Sequence, residues 1–288
     1  MTKGIILLGF GKRGYSFAAY NMLKSIRYFN DNIPVTFVTD KECARHIDVS
    51  GFSKVKYLSE KEYITAGKID PAKVKTNLYK YLDYDHNLYL DVDGVLLKDI
   101  EPLLDKCIDK EGYYFTDVID SGKRNDVINY SVWASNENIW ERFDLNEDSI
   151  YPAIQSSWAY IQKSKESRAF FKQVNTEFKK GFDKPLKIQW GGTLPDELFF
   201  SAVCAKNDMI PSFEEYPIFF GNKYRINESM DDFYVLSIYG NGGGRTLTKQ
   251  VYIKMYDRKM QKYMKKWSKG HIYKSNYIMD DKHANHFK

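Results

Sequence analysis

The stretch Leu88-Tyr89-Leu90-Asp91-Val92-Asp93-Gly94-Val95-Leu96-Leu97 constrains this chain more than any other. Three apolar residues run into two aspartates one residue apart, then a glycine and three more apolar residues. A short run of this kind reads as a buried strand of a parallel sheet. Open α/β sheets bind ligands at the carboxyl ends of their strands, so the two acids sit where chemistry usually happens. Carboxylates at i and i+2 point the same way if the strand continues, and divide between two ligands if it bends at Gly94. Unpaired burial would be costly, so a cation is the expected partner. A polar turn after a strand is the plainer alternative.

The chain leading up to this stretch has a βαβ rhythm. Gly4 to Gly9 reads as a first buried strand, Phe10-Gly11-Lys12-Arg13-Gly14-Tyr15 as a glycine-rich turn, and Ser16 to Phe29 as a helix. Strand, glycine turn, helix is a generic nucleotide-binding opening, although these glycines do not match the dinucleotide fingerprint. Tyr15 either stacks on a base or caps the core. Pro34 to Thr39 is a second strand ending at Asp40, which either holds a ribose hydroxyl or base, or N-caps the next helix. Val55 to Leu58 is a short third strand. Pro71 starts a helix with Val74, Leu78, Tyr81 and Leu82 on one face. The alternation predicts a mostly parallel sheet flanked by helices.

Beyond Asp99 the pattern loosens. Ile100 to Ile108 looks helical, Tyr113 to Thr116 forms a strand, and Asp117 to Asn129 is polar and predicted as a loop. Ile154 to Ile161 is strand-like, and Ser164 or Ser167 begins a helix to about Lys180. Gly181 to Leu194 reads as a loop. Pro195-Asp196-Glu197 opens a helix with Leu198, Phe199, Ala202 and Val203 facing the core; the two acids favour a helix N-terminus by the dipole alone. Phe233 to Tyr239 is a late strand. After it, Gly240-Asn241-Gly242-Gly243-Gly244-Arg245 combines exposed backbone N–H groups with a guanidinium fork, a set that suits a diphosphate.

Composition narrows the setting. The 288 residues suffice for one large α/β domain, or one domain plus a small appendage. Cys43, Cys107 and Cys204 are odd in number and lack metal-ligand spacing, which favours free thiols in a reducing, cytoplasmic setting. The N-terminal apolar run is too short for a signal peptide, and no stretch approaches a transmembrane span. The aromatic content of 16% means a ring-rich core or a groove that stacks on planar or sugar faces. The net charge of +5 is concentrated at 249–274, where Asp257 is the only acid. Tyr252, Tyr256, Met260, Tyr263 and Trp267 recur there at helical spacing, giving a basic amphipathic helix that either docks on the core or meets a polyanion. Residues 280–288 read as a frayed tail.

Asp91-Val92-Asp93-Gly94 resembles two motifs. One is the DxDG nucleophile motif of haloacid dehalogenase-like phosphatases. The broader resemblance, over roughly residues 3 to 250, is to GT-A fold glycosyltransferases, most closely family 8 and the glycogenin-like enzymes. Gly9 to Tyr15, including Phe10 and Gly11, resembles their first-strand loop, with Tyr15 as the aromatic on the base. Lys75 lies where the family carries a Lys or Arg for the donor. Asp91-Val92-Asp93 is similar to the family's DxD, with both acids on the metal and Asp91 also on the ribose. Gln155 and Ser156, with Ser157, resemble the strand start that lines the donor sugar. Asp196 and Glu197 resemble the acidic pair near the reacting carbon. Tyr239-x-x-Gly242-x-x-Arg245 is similar to the late His-x-x-Gly-x-x-Lys, with Tyr239 in place of a metal-binding His and Asn241 available to complete the shell.

This resemblance implies a GT-A domain over 1–248, with a donor-binding half of about 1–98 and an acceptor half of about 99–248. Residues 249–288 form a basic helix and tail. It also implies metal-dependent transfer of a sugar from a nucleoside diphosphate-sugar, UDP-sugar foremost, with Mn²⁺ or Mg²⁺ as cofactor. The acceptor is a saccharide or lipopolysaccharide hydroxyl, or a hydroxylated base in DNA, and the basic stretch permits peripheral contact with an anionic membrane. A phosphatase, and a binding module without turnover, are the competing functions.

Overall fold

The computed structural model describes residues 1–126, 128, 134–180, 194–215, 217–220 and 232–237. Tyr239, Asn241, Gly242, Arg245, all of the loop predicted over Gly181 to Leu194 except its last residue, the basic stretch 249–274 and the tail lie outside the described residues.

The elements in chain order are β1 (Lys3–Leu8), α1 (Arg13–Phe29), β2 (Val35–Thr39), α2 (Lys41–Ala44), β3 (Lys54–Tyr57), α3 (Glu60–Tyr63), β4 (Ile64–Thr65), β5 (Lys68–Ile69) and α4 (Pro71–Lys75). A 3₁₀ turn (Leu78–Tyr81) leads to β6 (His86–Leu90), β7 (Gly94–Leu96), α5 (Glu101–Asp109), β8 (Tyr114–Gly122) and α6 (Asn136–Phe143). Then follow β9 (Tyr151–Gln162), α7 (Lys165–Lys180), α8 (Asp196–Lys206), β10 (Ile218–Phe220) and β11 (Val235–Ser237). The fold is mixed α/β, on a mostly parallel six-stranded sheet of order β3-β2-β1-β6-β9-β8. β1, β2 and β3 pair in parallel, and β8 with β9 antiparallel.

The chain forms two compact units. One contains Lys3–Leu58, Leu90–Asp109 and the described part of Glu215–Lys288. Here β2 is buried along its whole length, as are Ile5 to Leu8 of β1. The apolar positions of α1, Ala19, Met22, Leu23 and Ile26, follow the i, i+3, i+4, i+7 spacing of one helix face and are buried. α1 begins at Arg13, one turn earlier than the sequence suggests. The Ser25 hydroxyl on α1 accepts the Leu96 amide at 3.1 Å, tying helix to strand.

The aspartate-bearing stretch is not one strand. β6 ends at Leu90 and β7 starts at Gly94. β7 pairs antiparallel with β11, with Gly94 opposite Ser237. A Cβ on Gly94 would lie 2.9 Å from the Leu236 carbonyl oxygen and 3.0 Å from Val235 Cγ1, so the glycine permits the close approach of β11.

The second unit contains Met1–Thr2, Ser59–Tyr89 and Lys110–Glu214. The polar segment from Asp117, predicted as a loop, continues β8 to Gly122. Its backbone pairs with β9 from Tyr151 to Gln155, and ladder hydrogen bonds do not depend on side-chain polarity. β9 is accordingly longer than the eight residues with strand character, and α6 was not legible at all. Ser135 caps α6, which buries Ile139, Trp140 and Phe143. The predicted single helix from Pro71 stops at Lys75: the Thr76 amide still bonds Ala72 O, but the Asn77 amide turns to Val74 O at 3.0 Å and the chain tightens into the 3₁₀ turn. Val74, Leu78, Tyr81 and Leu82 remain buried across this break.

Much of the ring content is core. Tyr114 packs against Phe170, Phe171 and Phe200 with centroid separations of 4.9, 5.9 and 5.7 Å. Trp140, Trp158 and Tyr160 are wholly buried. Three helices meet at one carboxylate: Glu177 of α7 faces Arg142 of α6 at 3.8 Å and Lys206 of α8 at 2.9 Å, with Lys180 at 3.3 Å.

Two predictions follow from this packing. Gly94→Ala should lower the urea-unfolding free energy by about 1–3 kcal/mol, the usual cost of overpacking, because the atom it meets is backbone. Glu62 provides a pH test. Burial pushes its carboxyl upward, but Lys80, the Ser59 amide and hydroxyl and the Tyr81 hydroxyl together hold it at about 2. The folded value lies below the ordinary 4.5, so the stabilisation is complete above that pH and is lost as pH falls through about 2. Melting temperatures measured from pH 5 to pH 2 should decline less steeply in Glu62→Gln than in the parent.

Candidate functional site

In the second unit, three polar side chains from separate segments converge. α4 is a single short helix opened by Pro71, with Asp70 accepting the Lys73 amide at 3.3 Å. It places Lys75 at its last position. α8 starts at Asp196, whose side chain turns inward and is 11% exposed; that of Lys75 is 15% exposed. Ser156 comes from β9. Its hydroxyl donates to Asp196 Oδ2 at 2.6 Å and accepts from Lys75 Nζ at 3.4 Å. Lys75 Nζ stands 3.8 Å from the same Asp196 oxygen and 5.5 Å from the centre of the Tyr89 ring.

These groups share a recess with Leu78, Tyr89, Tyr114, Ala159, Phe171 and Phe200. The floor is aromatic and the polar atoms are few. Burial pushes the Tyr114 phenol well above its ordinary range, and the Asp196 charge adds to the shift, so this hydroxyl stays protonated. Glu197, one position along α8, is half-buried. Gln155 is half-buried too, and its carbonyl accepts a hydrogen bond from Thr116.

β9 reaches this recess through an irregularity that the sequence does not announce. Phe115 pairs with Tyr160 and Asp117 with Gln155, so the single residue Thr116 stands opposite Ser156, Ser157, Trp158 and Ala159. The wholly buried Thr116 hydroxyl spans the bulge, its one proton shared between the carbonyls of Gln155, at 3.0 Å, and Trp158. Its amide turns to Pro211 O at 2.9 Å. Bulges re-aim side chains in this way. Thr116, Tyr89 and Tyr114 carry no sequence signal beyond ordinary strand composition.

The first unit holds the other site candidates. Asp91 and Asp93 follow the carboxyl end of β6 and are half-buried on either side of buried Val92. The backbone bends here, the geometry in which such carboxylates separate. Hard oxygen ligands suit Mg²⁺ or Mn²⁺, and Mg²⁺ commonly takes one or two carboxylates together with substrate phosphates and water. Among the described residues no group of three or more His, Cys, Asp or Glu converges.

Asp40 is engaged by backbone. Oδ2 accepts the Gly11 amide at 2.6 Å and Oδ1 the Cys43 amide at 2.8 Å, which makes Asp40 both the N-cap of α2 and the anchor of the glycine turn. Burial pushes its carboxyl up, but these amides outweigh it and hold the group below the ordinary carboxylate range. Gly11 has φ +76°, a conformation that glycine adopts without strain. Phe10 is buried and Tyr15 half-buried. Asp40 thus shapes the turn that carries Phe10 and leads into α1, whose first turn carries Tyr15. Asp40→Ala would leave two amides without an acceptor and should cost about 1–3 kcal/mol of unfolding free energy. Asp40→Asn, which keeps an acceptor, should lose less in the same denaturation experiment.

No family model and no curated protein sequence matches the chain. Solved structures do. The galactosyltransferase LgtC in complex with donor and acceptor sugar analogues matches with a TM-score of 0.51 at 13% identity, over 88% of this chain and 95% of that one. The bifunctional glycosyltransferase WbbM matches at 0.53 and 11% identity, over 91% of this chain and 51% of that one. GlyE of Streptococcus pneumoniae matches at 0.52 and 13% identity, over 93% of this chain and 63% of that one. The chain therefore has the GT-A glycosyltransferase fold. That fold removes the haloacid dehalogenase-like reading of Asp91-Val92-Asp93-Gly94. Among the described residues no helix is long and apolar enough to cross a membrane.

Proposed function

We propose that this chain transfers a sugar from a nucleoside diphosphate-sugar, with UDP-sugar as the foremost donor, to an acceptor hydroxyl. The observation that carries this reading is the convergence of Lys75, Ser156 and Asp196 in one aromatic-floored recess of a GT-A fold. Such transfer needs a cation for the leaving diphosphate and an oriented carboxylate near the sugar carbon. This recess has one of each. Asp196 faces the sugar, with Glu197 beside it, and Lys75 offsets diphosphate charge.

Asp91 and Asp93, with Asn241 as a further ligand, would hold Mn²⁺ or Mg²⁺, which would act as a Lewis acid on the diphosphate when bound. Gly242 and Arg245 belong to the same charge-neutralising set. Support for this grouping comes from the pairing of Ser237 with Gly94, which brings β11 next to the aspartates two residues before Tyr239. The Phe10-Gly11 turn and Tyr15 take the nucleoside, held in shape by Asp40. Gln155 lines the sugar. In this reading residues 1–98 carry the donor side, 99–248 the acceptor side, and 249–288 a basic extension. The acceptor is a saccharide or lipopolysaccharide hydroxyl, reached by peripheral docking of 249–274 on an anionic membrane surface. DNA is the other polyanion this charge would suit, and a strong salt dependence of binding to duplex DNA but not to anionic vesicles would favour it.

The test is a thermal-shift panel of nucleoside diphosphates and UDP-sugars with and without Mn²⁺. A metal-dependent rise in melting temperature is expected for one nucleotide, together with slow release of sugar from its nucleotide-sugar. Asp93→Asn should abolish the metal-dependent part and leave the melting temperature without ligand unchanged. Unaltered binding and turnover in that variant would remove the aspartates from the site. A shift without any turnover would instead make the protein a binding module.

A further inference from the structure

Ser156 lies at the recess, yet its hydroxyl is engaged by the protein. It donates to Asp196 Oδ2 at 2.6 Å and accepts from Lys75 at 3.4 Å. The direct separation of Lys75 from that oxygen, 3.8 Å, is at the limit of an ion pair, so the hydroxyl is the closer link between the two charges. Both partners converge on Oδ2. Among the described residues Oδ1 accepts no hydrogen bond. A carboxylate held by one oxygen presents the other in a defined direction.

We infer that Ser156 is a positioning residue that orients the Asp196 carboxylate, with the Thr116-spanned bulge of β9 setting where Ser156 stands. The inference rests on the reading of Asp196 as the group facing the donor sugar, but reassigns Ser156 from lining the donor to acting through Asp196. The sequence of contacts is short. The Thr116 hydroxyl holds the carbonyls of Gln155 and Trp158, on either side of Ser156 and Ser157. The four residues opposite Thr116 leave the ladder, and Ser156 meets the first turn of α8. A regular strand would place a residue here by its pleat, not by the needs of a carboxylate.

The experiment is a double-mutant cycle on kcat and donor KM with Ser156→Ala, Asp196→Asn and the double variant, joined to a crystal structure of Ser156→Ala. Ser156→Ala should lower kcat about tenfold, the scale of one hydrogen bond to a charged group, with donor KM changed less than about twofold. The double variant should be no slower than Asp196→Asn alone. Ser156→Thr, which keeps the hydroxyl, should recover most of the loss. Thr116→Val should reproduce the kcat effect in the presence of Ser156 and add nothing in its absence. In the Ser156→Ala crystal the Asp196 carboxylate should leave its present rotamer.

Additive losses in the double variant would overturn the inference, because Ser156 would then touch the donor itself. An unmoved Asp196 carboxylate in Ser156→Ala would also overturn it, whatever the reaction is. Absence of turnover with every nucleotide-sugar would defeat the proposed function instead, and the rotamer comparison would still decide the role of Ser156.

Discussion

A carboxylate leaves water only where donors replace the water it loses. Much of this structure follows from that constraint. Asp40 is met by two backbone amides, and so fixes the glycine turn after β1. Glu62 is met by Ser59, Lys80 and Tyr81, and so ties α3 to the 3₁₀ turn beyond α4. Glu177 is met by three cations and holds α6, α7 and α8 together. These three acids are satisfied by protein and serve the architecture. Asp196 is different, because its donors gather on one oxygen. That asymmetry separates Asp196 from the three carboxylates held through both oxygens.

The same comparison explains how a fold can carry a site without strain in its main elements. Lys75 sits at the end of a helix barely longer than one turn, Asp196 at the beginning of another, and Ser156 in a bulge. Each is at a point where regular hydrogen bonding has just stopped or not yet begun. Side chains at such points are free of the periodicity that directs their neighbours into the core. The aromatic residues beneath, Tyr114, Phe171 and Phe200, belong to regular elements and supply a rigid floor.

The two aspartates after β6 illustrate a limit of pattern reading. Their place at a strand end is visible in the sequence, because apolar runs stop where acids begin. Whether the strand continues through them is not visible, since three apolar residues follow on each side. The answer lies in β11, which claims Gly94 to Leu96 for a second sheet and allows a glycine alone at the contact. Asp40 is a similar case. Its position at the end of β2 was legible, together with two uses for it, and the Gly11 amide that engages Oδ2 lies twenty-nine residues away.

Local chemistry thus determined, from the sequence itself, the strands β1, β2 and β6, the helices α1, α7 and α8, the acids at strand and helix ends, and the α/β class. Apolar periodicity and capping residues act over a few positions and are written there. Only the tertiary structure decided that β8 runs through a polar segment, that α6 exists, and that Lys75, Ser156 and Asp196 meet. Lys75 and Ser156 are 81 residues apart, and Ser156 and Asp196 are 40 apart. No local pattern encodes a distance of that kind. It is set by where strands pair, through backbone hydrogen bonds that do not read side-chain identity, and by where the hydroxyl of a distant threonine spans a bulge.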